Sequence, residues 1–245
     1  MSRSSLFAKD GAVKWVTDPY RSDVVPENAA EFTRPLQAWG RANRRTFPWR
    51  ETRDPFRILV AEVLLQRSRG KTVANVYEAL FDRWPDAEAI ANARVSSIRS
   101  VIRPLGLVKR AEALKALARA VVEQGEVPRT LDGLMSLPGV GRYAASATLA
   151  VAFGRRQGVV DGVTARVYRR YFGQQGNEPA TSDGDLWDLV EKVTPTREVR
   201  EWNWSVLDLA ATVCLPGRPR CRECPLQAHC IWAASDLQVS VTGER

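Results

Sequence analysis

The 245-residue chain has one histidine, His229, two methionines, and four cysteines that are all confined to the stretch from Cys214 to Cys230. A solitary histidine argues against a hydrolase built on a histidine-centred triad. Cysteines clustered in this way suggest a metal site rather than the scattered disulfides of an oxidising compartment. No apolar run approaches the ~18 residues needed to span a bilayer, and the polar start MSRSSLFAKDG lacks the apolar core of a signal peptide. The expectation is a cytoplasmic, nucleoid-associated protein with no membrane partner. No stretch alternates convincingly as a strand, and no internal repeat exceeds the helix-turn-helix scale.

With 44% hydrophobic and 26% charged positions, the chain can bury a sizeable core as one large domain or two lobes. Thirty-six basic residues against 28 acidic ones give a net charge of +8 and a pI near 9.7. That balance favours a polyanionic partner without locating a site. Helical spacing begins at Phe32, Leu36 and Trp39. After the loop TFPWRETRDP, Asp54 and Pro55 form an N-cap and first-turn pair for a helix PFRILVAEVLLQRS. Further helical patterns fall near Thr72–Arg83, Asp86–Ala91, Val95–Ile102, Lys109–Glu123, Leu131–Ser136, Arg142–Phe153, Val163–Phe172, Ser182–Val193 and Val199–Val213. The predicted fold is all-α, a stack of helices with Gly or Pro at the joints.

Four features carry chemistry. In SLPGVGRYAASATLAVAFG, Leu137 closes one helix and Pro138 forces a turn. Gly139 and Gly141 permit positive φ and open the backbone amides of Gly139, Val140 and Gly141, with the cation of Arg142 beside them. Amides at a helix start hold an anion such as a DNA phosphate without reading a base, although an isolated turn of this type is more often a plain connection between helices. Asp161 stands at the start of a predicted helix, where it reads both as an N-cap and as a carboxylate kept ionised by the helix amides. Glu62 interrupts ILVAEVLL, so it is either a costly buried carboxylate or a solvated helix position. Cys214, Cys221, Cys224 and Cys230 form a C-x6-C-x2-C-x5-C pattern that suits four-thiolate zinc or a cubane iron-sulfur cluster. A single C-x-x-C with longer arms is unlike the paired knuckles of most zinc sites. With four cysteines completing the set, His229 is not needed as a ligand.

From about Arg44 to Cys230, these segments together resemble the DNA glycosylase superfamily defined by a helix-hairpin-helix and a Gly/Pro-rich loop ending in aspartate. It includes endonuclease III, the MutY adenine glycosylases and the thymine/uracil mismatch glycosylases. The resemblance implies two helical lobes with a hairpin motif and a C-terminal 4Fe-4S loop. It places an arm at 1–28, a discontinuous lobe at 29–54 and 135–230 carrying the aspartate and cluster loop, a helical lobe at 55–134 leading into the hairpin-helix, and a tail at 231–245. It implies that Asp161 is the catalytic carboxylate, that Glu62 contacts the flipped base or assists its departure, and that the cysteines hold the cluster. It further implies that Gln66 and Arg67 enter the space left by the flipped base. The cluster loop, with Arg218, Arg220 and Arg222, would approach DNA phosphates.

Bifunctional members place a lysine after the hairpin, where an amine forms a Schiff base with the sugar. Here the residue is Tyr143, which implies a monofunctional glycosylase acting as a monomer on double-stranded DNA with a mismatched or damaged base. NRRTFPWRETRDPFRILVAEVLLQRS and Tyr143 look most like the mismatch glycosylases that remove T or U opposite G. MutY proteins generally carry a further C-terminal domain, whereas Arg245 follows Cys230 by only 15 residues, which weakens the alternative of adenine opposite G or 8-oxoguanine. An alternative of another class is a protein that binds duplex DNA without excising a base. One departure stands out. Family members often have a polar residue two positions after the aspartate, but DGVTARV has Val163 there, with Thr164 next, so a support for the aspartate is expected to be missing.

Overall fold

The computed structural model describes residues 26–106, 109–176 and 178–235; the arm up to residue 25 and the tail from residue 236 lie outside them. Among the described residues there are eleven α-helices and no strand. They are α1 (Ala29–Asn43), α2 (Pro55–Leu65), α3 (Gly70–Arg83), α4 (Ala87–Asn92), α5 (Val95–Ile102), α6 (Arg110–Gln124), α7 (Leu131–Met135), α8 (Arg142–Val151), α9 (Thr164–Phe172), α10 (Gly184–Val193) and α11 (Val199–Thr212). The fold is all-α, as the apolar spacing predicts. None of these helices is long and apolar enough to cross a membrane.

Local chemistry sets the helix starts. Asp54 caps α2 by accepting from the amides of Phe56 and Arg57 at 2.9 and 3.2 Å, with Pro55 at the first position where no donor is missed. Asp86, Thr130 and Asp183 cap α4, α7 and α10 in the same way. The stops depart from the sequence pattern at α2, α7 and α8, the last ending at Val151 rather than Phe153. The α2 pattern runs on to Ser68, but the helix ends at Leu65. There Gln66 becomes extended and Arg67 adopts a left-handed φ of 54°. The buried guanidinium of Arg110 explains the break, because it donates to the Leu64 carbonyl and the Ser68 hydroxyl and so satisfies the helix end while pinning the turn. Likewise α7 ends at Met135, two residues before Leu137, whose side chain is buried in the following turn.

Burial separates into two large apolar clusters. One unites α2 to α8 through residues such as Leu59, Leu64, Leu80, Ile98, Leu114, Leu134 and Ala145. The other unites α1, α9, α10 and α11 through Phe32, Tyr168, Tyr171, Trp187, Trp202 and Leu209, with Cys214, Cys224 and Cys230 packed against it. A small third cluster of Ile58, Val151 and Trp204 joins α2, α8 and α11 at the seam.

A buried ion pair crosses the same seam. In the 3-10 turn Pro48–Arg50, Arg50 donates two parallel bonds to Asp208 of α11 at 2.7 and 2.9 Å, with the two side chains 3% and 1% exposed. The Arg45 side chain and backbone amide complete the carboxylate's partners at 2.6 and 3.0 Å. Removing one member of such a pair strands the other charge away from water. Asp208→Ala should therefore lower the unfolding free energy by about 3–5 kcal/mol, measured by denaturant titration followed by helical circular dichroism. A change below about 1 kcal/mol would show that the pair does not secure the seam.

Candidate active site

The seam opens into a cavity of about 470 Å³ lined by Arg45, Phe47, Trp49 and Arg50 from the first loop, Ile58 and Glu62 from α2, Arg67 to Gly70 from the next turn, Tyr143 and Val151 from α8, Asp161 and Val163 from the loop before α9, and Trp204 and Leu207 from α11. Its size and mixture of apolar walls with a few ionisable groups suit a small planar ligand.

Asp161 holds the start of α9. Its Oδ1 accepts from the amides of Val163 and Thr164 at 2.9 and 2.7 Å and from the Thr164 hydroxyl at 3.0 Å. These donors lie at a helix start, where the peptide dipoles favour negative charge. The capping reading of Asp161 is thus realised without removing the residue from the cavity.

Glu62 sits half-buried on the opposite wall, and its Oε2 is fully buried with no hydrogen-bond partner. Loss of hydration, reinforced by the Asp161 carboxylate and opposed by Arg50, pushes Glu62 up to about 8. It therefore carries a proton at neutral pH. The Tyr143 phenol is pushed well above its usual range by burial and by the same two carboxylates, so it is a neutral hydroxyl. One cavity thus holds an anchored carboxylate, a carboxylic acid and a phenol, with Arg50 as the cation that moderates them.

The hairpin turn lies beside this cavity. Gly139 adopts φ 77°, which the glycine tolerates without a Cβ penalty. Gly141 does not use that freedom: its φ of −92° and ψ of 176° are extended, and it serves as the residue preceding α8. Both glycines are exposed, while Val140 is buried and donates its amide to the Leu137 carbonyl at 3.2 Å. Arg142 is half-buried with its guanidinium 4.1 Å from the Trp187 ring centroid. Gln66 donates to the Gly139 carbonyl at 3.3 Å, tying the α2–α3 turn to the hairpin, and Arg67 lines the cavity mouth.

The four cysteines, all half-buried, line a separate apolar pocket with Arg170, Leu209, Leu226 and Trp232. Arg170 donates to the Cys214 sulfur at 3.4 Å. No three His, Cys, Asp or Glu side chains among the described residues converge closely enough to hold a single metal ion. What the thiols share is a pocket rather than a ready tetrahedral centre. Arg218, Arg220 and Arg222 project from the loop into solvent, as does His229.

Sequence reasoning passed over Arg50, Asp208 and Trp204. The signal was present for Asp208, which interrupts the apolar run SVLDLAA of α11 just as Glu62 interrupts α2. Arg50 had none, because it lies in a loop rich in exposed arginines.

An all-α architecture with a glycine-turned hairpin, an aspartate at a helix start and an acid-lined interhelical cavity defines a class that comparison with known proteins identifies. Residues 60–192 match the HhH-GPD superfamily of base excision DNA repair proteins, and the chain belongs to that family. It is 35% identical over 211 residues to a thymine/uracil-DNA glycosylase of Methanothermobacter thermautotrophicus, covering 85% of this chain and 96% of that protein. It is also 35% identical to the human adenine DNA glycosylase over 212 residues, 81% of this chain but 39% of that protein. The structure of a thermostable thymine-DNA glycosylase superposes with a TM-score of 0.81 at 34% identity, covering 85% of this chain and 97% of the other.

The raised Glu62 value has a measurable consequence for folding. Below its ordinary value of 4.5 the group is neutral whether the chain is folded or not. As pH rises toward 8 the unfolded chain ionises Glu62 while the folded protein keeps its proton, so stability is lost across that interval and not beyond it. Glu62→Gln cannot titrate. Its stability relative to the parent should therefore improve progressively between about pH 5 and 8, as followed by thermal unfolding. A gap independent of pH would mean that Glu62 is solvated and ionises normally.

Proposed function

We propose that the protein is a monofunctional DNA glycosylase that hydrolyses the N-glycosidic bond of a thymine or uracil opposite guanine, after the nucleotide is rotated out of the duplex into the interhelical cavity. The observation that carries this reading is the meeting of Asp161, Glu62 and Tyr143 on the walls of one cavity whose lining includes no lysine. The mismatch-glycosylase relatives, aligned over nearly their whole length, support the choice of base.

The roles follow from the charge states. Glu62, protonated at neutral pH, donates to a heteroatom of the departing base. Asp161, its Oδ1 held by the start of α9, offers negative charge to the oxocarbenium-like sugar that forms as the bond to the base breaks. Water adds to the sugar carbon and its released proton returns the lost one to Glu62, leaving an abasic site and a neutral free base. The Tyr143 phenol donates a hydrogen bond within the pocket. Among the described residues no amine lines the cavity, so none stands there to form a sugar imine and lead to strand cleavage.

The exposed Gly139 and Gly141 turn at the start of α8, with Arg142, grips phosphate; Gln66 and Arg67 fill the gap in the duplex; and Arg218 and Arg220 extend the contact along the backbone. In this reading the two large apolar clusters correspond to two lobes that meet at the seam, with α7 and α8 packed on the first. Cys214, Cys221, Cys224 and Cys230 would hold a 4Fe-4S cluster. The fit rests on four cysteine side chains that line one apolar pocket, a donor set that suits a thiolate-held cluster. The cluster would brace the loop carrying the arginines and take no part in base release.

A panel of duplexes with T:G, U:G, A:G and A:8-oxoguanine tests the substrate. Release of T or U from the first two is expected, with strands intact until alkali is added and no borohydride-trapped adduct. Preferential release of adenine would favour the second reading, which the adenine glycosylase relatives and their shared region support. Asp161→Asn should abolish release while duplex binding persists; near-normal single-turnover rates in that variant would remove Asp161 from the mechanism. Binding without release of any base would make the protein a DNA-binding module.

Iron analysis of anaerobically purified protein provides a separate check. About four irons per chain and broad visible absorption are expected. Cys221→Ser should lose the colour and lower the thermal midpoint. Stoichiometric zinc without iron would overturn the cluster assignment.

A further inference from the structure

The sequence DGVTARV places an apolar residue, Val163, where a polar support for the aspartate was expected, and Val163 lies 39% exposed on the cavity wall with no polar atom in its side chain. Thr164, the next residue, is fully buried. Its hydroxyl is 3.0 Å from Asp161 Oδ1, 3.3 Å from the Val159 carbonyl and 3.5 Å from the Asp161 carbonyl, and it accepts from the Asp161 amide at 2.9 Å. A hydroxyl has a single proton. The charged carboxylate is both the nearest acceptor and the stronger one, so the proton goes to Oδ1.

The arrangement is reciprocal. Thr164 accepts from the backbone of Asp161 and donates to its side chain, while its own amide donates to the same Oδ1 at 2.7 Å. A β-branched side chain, stiff about χ1 and enclosed on all sides, keeps that hydroxyl in place. All the donors converge on Oδ1, and no hydrogen bond among the described residues reaches Oδ2.

We propose that Thr164 is the positioning residue of this site: it replaces the absent support two positions after the aspartate, fixes Asp161 by Oδ1 and presents Oδ2 to the sugar. Val163 is thereby free to give the cavity an apolar wall, which favours a base with a methyl edge over one read there by a hydrogen bond. This inference rests on the reading of Asp161 as the catalytic carboxylate.

The test compares Thr164→Val, Thr164→Ser and Asp161→Asn in the full-length protein by single-turnover release from T:G duplex, duplex affinity and thermal unfolding. Thr164→Val, which keeps the shape and loses the hydroxyl, should slow release about tenfold or more while affinity stays within about twofold, because misplacing a reacting group costs rate rather than binding. Thr164→Ser, which keeps the hydroxyl and loses a buried methyl, should be less stable than the parent yet release base within about threefold of its rate. A packing role would give the reverse order. If Thr164→Val fails to fold, Ser against Ala at this position makes the same comparison, since both lack the methyl and only one retains the hydroxyl. A normal rate in Thr164→Val, or in Ala, beside an inactive Asp161→Asn overturns the positioning role and leaves the catalytic assignment standing. A normal rate in Asp161→Asn overturns the assignment itself.

Discussion

The structure depends on a charge that has been taken out of water. Arg50 is enclosed between the first loop and α11, and Asp208, with bidentate geometry and a second arginine on its flank, supplies the countercharge, while the Arg45 carbonyl and the Phe47 and Trp204 rings take up the rest of the guanidinium. A pair of this kind gains little over a well-packed apolar contact, but breaking it is expensive, so it penalises every arrangement in which the loop and α11 drift apart. The loop carries Phe47 and Trp49 and the helix carries Trp204 and Leu207, which are facing walls of the cavity. Geometry there is fixed by an interaction that touches neither carboxylate of the site.

Arg50 also acts on the chemistry. It is the cation that opposes the upward shift that burial, and then Asp161, impose on Glu62, and that burial and both carboxyl groups impose on Tyr143. The environments of Glu62 and Asp161 differ. Glu62 has an oxygen with no partner in a desolvated wall, whereas Asp161 has three donors on one oxygen at a helix start. One carboxyl group is thus desolvated and pushed toward its protonated form, while the other is held by donors at a helix start.

Much of this was legible from the chain. Apolar spacing and caps such as Asp54 before Pro55 located the helices because those signals are local. Glu62 was legible because a carboxylate inside ILVAEVLL has few inexpensive explanations, and Asp161 because a helix start suits a carboxylate for two reasons at once. The early end of α2 was not legible, since it depends on Arg110, which lies 46 residues beyond Leu64 and reads as an ordinary surface arginine. Gly141 misled for a related reason: a glycine permits positive φ, and only the three-dimensional path decides whether that freedom is used. The contact from Thr164 to Asp161 was not legible, since a hydroxyl three residues on reaches the carboxylate only through the local turn of the chain.

The bond from Gln66 to the Gly139 carbonyl joins the proposed phosphate grip to the proposed wedge. The α2–α3 turn bearing Gln66 and Arg67 follows directly from the helix that carries Glu62, and the hairpin opens directly into the helix that carries Tyr143. Each of these turns thus adjoins an element whose other residues line the cavity. Arg67 holds a left-handed φ that costs a non-glycine residue free energy, and Arg110 holds the turn in which it sits. In the proposed reading, this connection links the seating of a duplex on the hairpin to the placing of an extruded nucleotide near Asp161.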